Sequence, residues 1–439
     1  MEIAQIHKIP ELIGLTPLQR QFRFDETRFI RNAAGRRARK TLIAKKKLLS
    51  CALKTPNSNY FGGAPTEKQA KRLLWEDLKR WTYHVRTDKS EQDMIVRFPN
   101  NSMIQVVGLD VPERIEGSAW DGCLITEFAD IKKEAWLEHI RPMLSEPKRE
   151  GFAILEGTPD YRSENDKELT KYFCGGDIPK PLSIIGAYTK NPTDLSCCFY
   201  SWLSSDVMSP DEIKLAKKQM DELSFRQEYE AEYITMGVTT YYAYSADNHT
   251  DVEYNPSVRT IICWDFNVDP MTAILCQEFE KDKWYAVKEF ITRNSNTEHT
   301  CEVIKGFLED NHHNGILQVT GDYSGLKRSS DSSYSDWFII DRNFKNYPDY
   351  RRFTHPTYSI KDRVNAMNAR LKNYDGDINF YVNATQCPVL DEDFRMVVWL
   401  KGQWKLDGSN QFRTHATDAV SYHSMNLYPQ RRHTEGYII

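Results

Sequence analysis

The chain has 439 residues, a net charge of −4, and 40% hydrophobic and 27% charged residues. That length exceeds one ordinary core and implies two or three domains. The composition is that of a globular enzyme, and no apolar run approaches the ~18 residues of a membrane span. The slightly acidic balance does not announce a nucleic-acid binder. It excludes none either, because an enzyme acting on DNA needs carboxylates for metals and localises its basic residues. The opening MEIAQIHKIPELIG lacks the basic-then-apolar pattern of a secretory signal. Nine cysteines without a C-x-x-C pair read as reduced thiols of a cytosolic protein, not as a disulfide frame or zinc site.

The first informative stretch is FIRNAAGRRARKTLIAKKKLL. An apolar extended run, Phe29 to Ala34, meets a turn at Gly35, and a helix-compatible run follows from about Thr41. Strand, glycine-bearing loop, Lys-Thr and helix is the order of a P-loop. Loop N–H groups and a helix N-terminus hold phosphate. Lys40 would neutralise the β- and γ-phosphates, and Thr41 would place its hydroxyl on Mg²⁺. The usual pattern, G-x-x-x-x-G-K-[ST], is departed from twice, with Ala34 and Arg39 at the glycine positions. Arg39 must then adopt a backbone angle that glycine tolerates best. The basic run Arg36, Arg37, Arg39, Lys40, Lys45, Lys46 and Lys47 would by charge alone be a solvated helix face. Its place on this loop argues for phosphate.

Downstream, NYFGGAPTEKQAKRLLWEDLKRW reads as strand, Ala-Pro-Thr turn and amphipathic helix, and MIQVVG, CLITEFAD and FAILEGTP as short apolar strands. Such strands alternating with helices predict a parallel sheet covered on both faces. Ligands bind beyond the carboxyl ends of such strands, where Lys40, Glu127 and Thr158 fall. Glu127 is the candidate general base for the water attacking the γ-phosphate; its bland alternative is an N-cap or surface charge. The preceding residue is Thr126, where an Asp normally supports Mg²⁺. A hydroxyl is the weaker partner for a hard cation. Asp130 has the wrong offset to replace it.

Beyond Ile234 the pattern changes. TTYYAYSADNHTDVEYNPS is turn-rich and reads as a connector. TIICWDFNVDPMTAILCQEF predicts a hairpin with Asp265 near the end of its first strand and a turn at Asp269-Pro270. KWYAVKEFI is a third strand, Thr297 to Asp310 a helix, ILQVTGD a strand ending on Asp322, and RTHATDAVSYHSMNLY a helix carrying Asp418. Three aspartates in this order are the arrangement of an RNase H-like nuclease. Two divalent ions ~3.5–4 Å apart on such carboxylates activate water and stabilise the leaving oxygen of a phosphodiester. Asp269, Asp331, Asp336, Asp362, Asp391, Glu392 and Asp393 are expected as turn, cap or surface groups. His415 is expected to make a structural hydrogen bond or to orient a carboxylate or phosphate. Lys361 and Arg363 would hold backbone phosphate or be plain surface charges.

Together these segments resemble the large subunit of tailed-bacteriophage terminases, along nearly the whole chain. LTPLQRQF precedes the loop as the family's adenine-side motif does, making Gln19 a candidate base-reader. AGRRARKT resembles the family's variant loop, and APT, ERIEG, CLITEFAD and EGTPD follow in the family's order. SPDEIKLAKKQMDELSFRQEYEAEYI resembles the close of the motor domain, and DRVNAMNARL and HATDAVSYH late nuclease segments. The resemblance implies an α/β fold: an ASCE-type P-loop ATPase over 1–235, a linker over 236–256, an RNase H-like nuclease over 257–428 and a tail over 429–439. It implies ATP binding by Gln19, Gly35, Arg36, Arg39, Lys40 and Thr41, and coupling through Thr158. Glu127 would be the ATPase base, and Asp265, Asp322 and Asp418 the nuclease ligands for Mg²⁺ or Mn²⁺. Arg114 would act on a neighbouring subunit's ATP, its bland alternative being a salt bridge to Glu113 or Glu116. The implied partners are double-stranded DNA, a portal protein, a small terminase subunit and further copies in a ring, in the host cytoplasm. The competing expectation is a helicase-nuclease or translocase-nuclease of repair or restriction. A helicase usually carries a second motor domain, and no second phosphate loop is visible.

Overall fold

The computed structural model describes residues 14–428 except 133, 148, 161–163, 234–238, 268, 327–333, 355–357, 401–404 and 411. The expected tail, 429–439, and Asp331 lie outside the described residues. The chain forms two compact units: Met1–Ile213 with Arg226–Thr235, and Lys214–Phe225 with Met236–Ile439.

The first unit is built on nine strands: β1 (Phe29–Ala33), β2 (Asn59–Ala64), β3 (Asp88–Ser90), β4 (Ile95–Arg97), β5 (Met103–Gly108), β6 (Gly122–Ile125), β7 (Phe152–Gly157), β8 (Ala187–Lys190) and β9 (Cys197–Ser201). Their order is β3-β4-β5-β2-β6-β7-β1-β9-β8. The six central strands, β5 to β9 in that order, run parallel. Antiparallel pairing is confined to the edges. The central strands are covered on both faces, which is why they read as continuous apolar runs. One face packs Ile30, Leu124 and Ile154 with Ile43, Ala44 and Leu48 of α2 (Lys40–Lys54), which follows α1 (Pro17–Phe24). On the other face Arg31 of β1 pairs with Asp166 of α3 (Glu164–Cys174) at 2.7 Å, both side chains fully buried.

Lys45, Lys46 and Lys47 of α2 are tied down within this unit rather than solvated. Lys45 pairs with Asp77 at 2.5 Å, Lys46 lies 4.2 Å from the Trp81 ring centre, and Lys47 donates to the Phe22 carbonyl at 3.0 Å. Burial pushes the Lys46 and Lys47 ammonium groups down to about 8.

The second unit carries β10 (Thr260–Asp265), β11 (Met271–Glu280), β12 (Lys283–Thr292), β13 (Leu317–Gly321), β14 (Arg351–Phe353) and β15 (Phe380–Val382) in the order β14-β13-β10-β11-β12-β15. β10, β11 and β12 form an antiparallel meander, and β13 returns parallel to β10 after α4 (Thr297–Asp310). Strand residues alternate between two cores. Ile262, Trp264 and Leu275 pack with Cys301, Ile304 and Leu308 of α4 and Trp337 and Ile340 of α5 (Asp336–Phe344). Ile261, Cys263 and Ile274 pack with Val364 and Met367 of α6 (Ile360–Leu371) and Ala416, Ala419 and Val420 of α7 (His415–Leu427). The stretch expected as a connector contributes Tyr241 and Ala243 to this second core. All nine cysteines are free thiols. Among the described residues no helix is long and apolar enough to cross a membrane.

Candidate active sites

In the first unit the loop after β1 is fastened at its start. Ala34 N–H donates to the Gly157 carbonyl at 3.2 Å, Gly35 N–H to Trp202 at 2.9 Å and Arg36 N–H to Glu228 at 2.6 Å. A Cβ at Gly35 would sit 2.5 Å from Ser204 Oγ and 2.7 Å from the Tyr229 carbonyl, so close approach, not a special φ, demands this glycine. The φ that a glycine favours occurs instead at Arg37 (56°) and Arg39 (63°). Arg39 thus takes the conformation its place in the motif requires.

Lys40 begins α2, and its Nζ donates to Thr158 Oγ1 at 3.1 Å and lies 3.5 Å from the Gly35 carbonyl. Lys40 and Thr158, distant in sequence, are therefore brought together at the ends of adjacent strands. Gln19 is buried and its Nε2 donates to the Ala38 carbonyl at 3.3 Å; Trp202 Nε1 donates to the same oxygen at 2.7 Å. The Gln19 Oε1 accepts from Thr16 N–H at 3.1 Å, so the side chain links the start of α1 to the loop. Arg36 pairs with Glu228 at 2.8 Å, and that carboxylate raises the guanidinium pKa. Glu127 follows β6 with φ 51°, partly buried. Gly157 on β7 eases this turn, since a Cβ there would lie 3.2 Å from Phe128 N. Arg114 is exposed and pairs with Glu67 at 2.9 Å, not with the expected Glu113 or Glu116.

One carboxylate here was not expected. Asn32 on β1 stands opposite Glu156 on β7, and the β6–β7 register, with Ile125 opposite Leu155, carries Thr126 to the other side of Glu156. Thr126 Oγ1 hydrogen-bonds Glu156 Oε1. Glu156 is fully buried; its Oε2 and both polar side-chain atoms of Asn32 have no hydrogen-bond partner among the described residues. Burial pushes the Glu156 carboxyl up, and Glu127 adds to this. The Lys40 charge and the Thr126 and Thr41 hydroxyls pull it down. The only sequence signal was a Glu inside the otherwise apolar FAILEG.

In the second unit β10 and β13 are parallel with Trp264 opposite Gly321, so the next residues, Asp265 and Asp322, end neighbouring strands. Asp265 Oδ2 lies 2.7 Å from Asn267 Nδ2 and 2.8 Å from His415 Nδ1, the residue that opens α7. One turn along α7, Asp418 Oδ1 accepts from Arg363 Nη1 at 2.9 Å, and Arg363 also donates to Ser421 Oγ at 2.6 Å. Burial pushes the Asp418 carboxyl up and the Asp265 charge adds to it, while Arg363 and His415 oppose. Tyr422 feels Asp322, Asp418 and Asp265 together; burial first, then these charges, pushes its hydroxyl up against Arg363. Asp265 thus meets the start of α7 through His415, Asp418 lies on the first turn of that helix, and Asp322, whose carboxylate accepts from Ser324 N–H at 3.1 Å, follows the strand beside Asp265. Among the described residues no three His, Cys, Asp or Glu stand at metal-binding distances already. The donor set nevertheless suits Mg²⁺ or Mn²⁺, being hard carboxylate oxygens partly balanced by cations.

Arg363 is buried and paired, not a surface charge. The competing carboxylates are held elsewhere: Asp269 by Arg293, Asp391 by Arg395, Glu392 by Arg413, Asp362 by the Ser359 hydroxyl and Asp336 by Thr297. Asp393 alone is buried with an unpartnered oxygen, Oδ2.

The class these features define is a two-sheet α/β protein: a parallel-rich sheet with β7 between the loop strand and the acidic strand, and on the same chain a six-stranded mixed sheet. Comparison with known proteins agrees. The chain is 24% identical over 280 residues to the terminase large subunit of Escherichia phage T5, a match covering 60% of this chain and 59% of that relative. Its fold matches the large terminase of a thermophilic bacteriophage in complex with ADP, with TM-score 0.59 and 14% identity over 94% of this chain and 99% of that one. The complex of that same phage terminase with ATP-γ-S gives TM-score 0.57 at 15% identity, with the same coverage. No family model matches the chain. The resemblance read from the motifs therefore holds in both sequence and fold: the chain has the large-terminase fold.

Proposed function

We propose that this chain is a phage DNA-packaging subunit. ATP hydrolysis in the first unit drives double-stranded DNA into a procapsid, and a two-metal site in the second cuts concatemeric DNA when filling starts and ends. The observation that carries this reading is the pairing, on one chain, of two sites that each gather strand-end residues. Lys40 meets Thr158 at 3.1 Å in one, and Asp265 and Asp322 end adjacent parallel strands in the other.

In the first site Lys40 and the α2 N-terminus bind the phosphates, Thr41 contacts Mg²⁺, and Glu127 takes a proton from the attacking water. Gln19 and Trp202 keep the loop in shape. Thr158, bonded to the phosphate lysine, couples the γ-phosphate state to domain movement. In the second, Asp265, Asp322 and Asp418 would hold Mg²⁺ or Mn²⁺, which supplies a metal-activated water for phosphodiester cleavage. His415 fixes the Asp265 carboxylate. Arg114 is exposed, and its surface pair with Glu67 is worth at most about 1 kcal/mol, so a neighbouring copy's ATP can recruit it. The reading extends to a ring of copies on a portal, DNA delivered by a small terminase subunit, and work in the host cytoplasm. The helicase-nuclease alternative gains no support, because the described residues hold a single P-loop sheet.

The test is reciprocal. Glu127→Ala is expected to lower DNA-stimulated ATP turnover by about 10²–10⁴ while Mg²⁺- or Mn²⁺-dependent plasmid cleavage persists. Asp265→Ala is expected to do the reverse. Cutting that survives loss of both Asp265 and Asp322 would remove the nuclease assignment, and undiminished ATP hydrolysis in Lys40→Ala would remove the P-loop.

A further inference from the structure

The motif leaves the first site short of a carboxylate: Thr126 stands where an acidic residue would support Mg²⁺ at Thr41. The sheet offers one next door. Register sets Asn32, Glu156 and Thr126 in a row across β1, β7 and β6. They share the face of Ile30, Ile154 and Leu124, two residues earlier on each strand, and that face packs against α2. The row ends where Lys40 and Thr41 begin that helix.

Three facts show that the row is built for a ligand and not for packing. Glu156 is fully buried yet lies in the field of Lys40 and close to the Thr41 hydroxyl. Its Oε1 is oriented by Thr126, so the residue at the usual acidic position now aims the carboxylate. Its Oε2 and the whole Asn32 amide are buried without partners among the described residues. Native interiors rarely leave three such atoms together, since each carries a desolvation cost unless something polar fills the gap. A hydrated divalent cation at Thr41 meets that need, offering charge to Glu156 and water to Asn32.

We infer that Glu156, oriented by Thr126, is the carboxylate that supports the nucleotide's Mg²⁺ in this chain, the role having moved from β6 to the neighbouring strand β7. The inference rests on the P-loop reading above. Glu127 keeps its separate task at the γ-phosphate, and Asn32 is a positioning residue for the ion's water.

The experiment measures ADP binding to the full-length chain in EDTA and in Mg²⁺, and takes the ratio of the two affinities. In Glu156→Gln the gain due to Mg²⁺ is expected to fall at least tenfold, while ADP in EDTA binds at least as well as to the parent, because a charge that repels phosphate is gone. Adding Thr126→Asp to Glu156→Gln returns the carboxylate to β6 and is expected to restore most of the gain. Glu156→Asp keeps the charge but withdraws it by one methylene, and serves if the Gln variant does not fold; it too is expected to lose most of the gain. A parent-like Mg²⁺ gain in Glu156→Gln or Glu156→Asp overturns the assignment. Lys40→Ala separates the two readings. If it leaves ADP binding in EDTA intact, the nucleotide site itself is wrong. If it weakens that binding and Glu156→Gln keeps its Mg²⁺ gain, only the role of Glu156 fails.

Discussion

In the nine-stranded unit Glu156 is buried with one oxygen unpartnered, whereas in the six-stranded unit Asp265 and Asp418 already hold partners, His415 at 2.8 Å and Arg363 at 2.9 Å. The first site departs from its motif at two positions, Arg39 and Thr126, and sets a buried carboxylate, Glu156, beside the second of them. The second follows its motif, but two of its carboxylates already rest against side chains, His415 and Arg363, that a metal would have to join or displace. A motif therefore records which residues share a chain segment. It does not record which charges share a cavity, and the two sites differ most in that respect.

The strongest way to break this contrast is to remove the second site's built-in cation. Arg363→Met leaves Asp418 half-buried and unpaired, and losing one partner of a buried pair costs about 3–5 kcal/mol. Urea unfolding followed by a probe in the second unit would show it. Adding Asp418→Asn is expected to return part of the loss, since the uncompensated charge then disappears. A loss below about 1 kcal/mol for Arg363→Met would mean that Arg363 does not balance the site.

A smaller effect asks whether the contrast belongs to the sites or to whole units, because Asp393, on the helix Pro388–Met396, is a buried carboxylate of the second unit with an unpartnered oxygen. Burial pushes its carboxyl up to about 7, against the pull of Arg413. The folded pKa lies above the unfolded value of ~3.9. Stability from this group is therefore fully present below pH ~4 and is lost as pH rises through about 7. The melting temperature of Asp393→Asn, relative to the parent, is expected to rise between pH 5 and pH 8, by roughly 2–4 °C for each kcal/mol recovered. A difference that stays flat over that range would show that Asp393 is not titrating there.

How much of this was legible follows from what a sequence exposes. β1, β5, β6, β7, β10 and β13 were readable because double-sided burial writes itself as an apolar run, and Glu127, Asp265 and Asp322 because they end such runs. The helix Thr297–Asp310 was readable from its period. The edge strands β3, β8 and β14, and β4 next to β3, are three or four residues long and partly exposed, so they carry no such pattern. Lys214–Phe225 joins the second unit although it precedes the first unit's last segment, a contact no local pattern encodes. Glu156 and Arg363 stayed hidden for the same reason. Their roles depend on the strand beside one and the helix against the other. For Arg114 the sequence offered only near neighbours, Glu113 and Glu116, as salt-bridge partners beside the trans-acting reading, while its partner Glu67 lies 47 residues upstream.

The smallest prediction sharpens the claim that the first site tolerates its departures. Arg39 holds φ 63° and ψ 11°, a conformation that costs an ordinary L-residue about 1–2 kcal/mol. Glycine relieves that strain but gives back about 0.5–1 kcal/mol as lost unfolded-chain restriction. Its guanidinium also reaches the Gly14 carbonyl at 3.2 Å, an exposed contact of little net value. Arg39→Gly is thus expected to raise the melting temperature of the first unit by only a degree or two, and Arg39→Ala, which removes the charge and keeps the strain, to leave it unchanged or lower it. The pair also separates strain from charge in function. If ATP affinity falls alike in both variants, the guanidinium itself meets the nucleotide, and Arg39 is a gain of the variant loop. If affinity holds in Gly and drops only in Ala, the loop's shape is what the site requires, and Arg39 is a tolerated replacement for the glycine that builds it most cheaply.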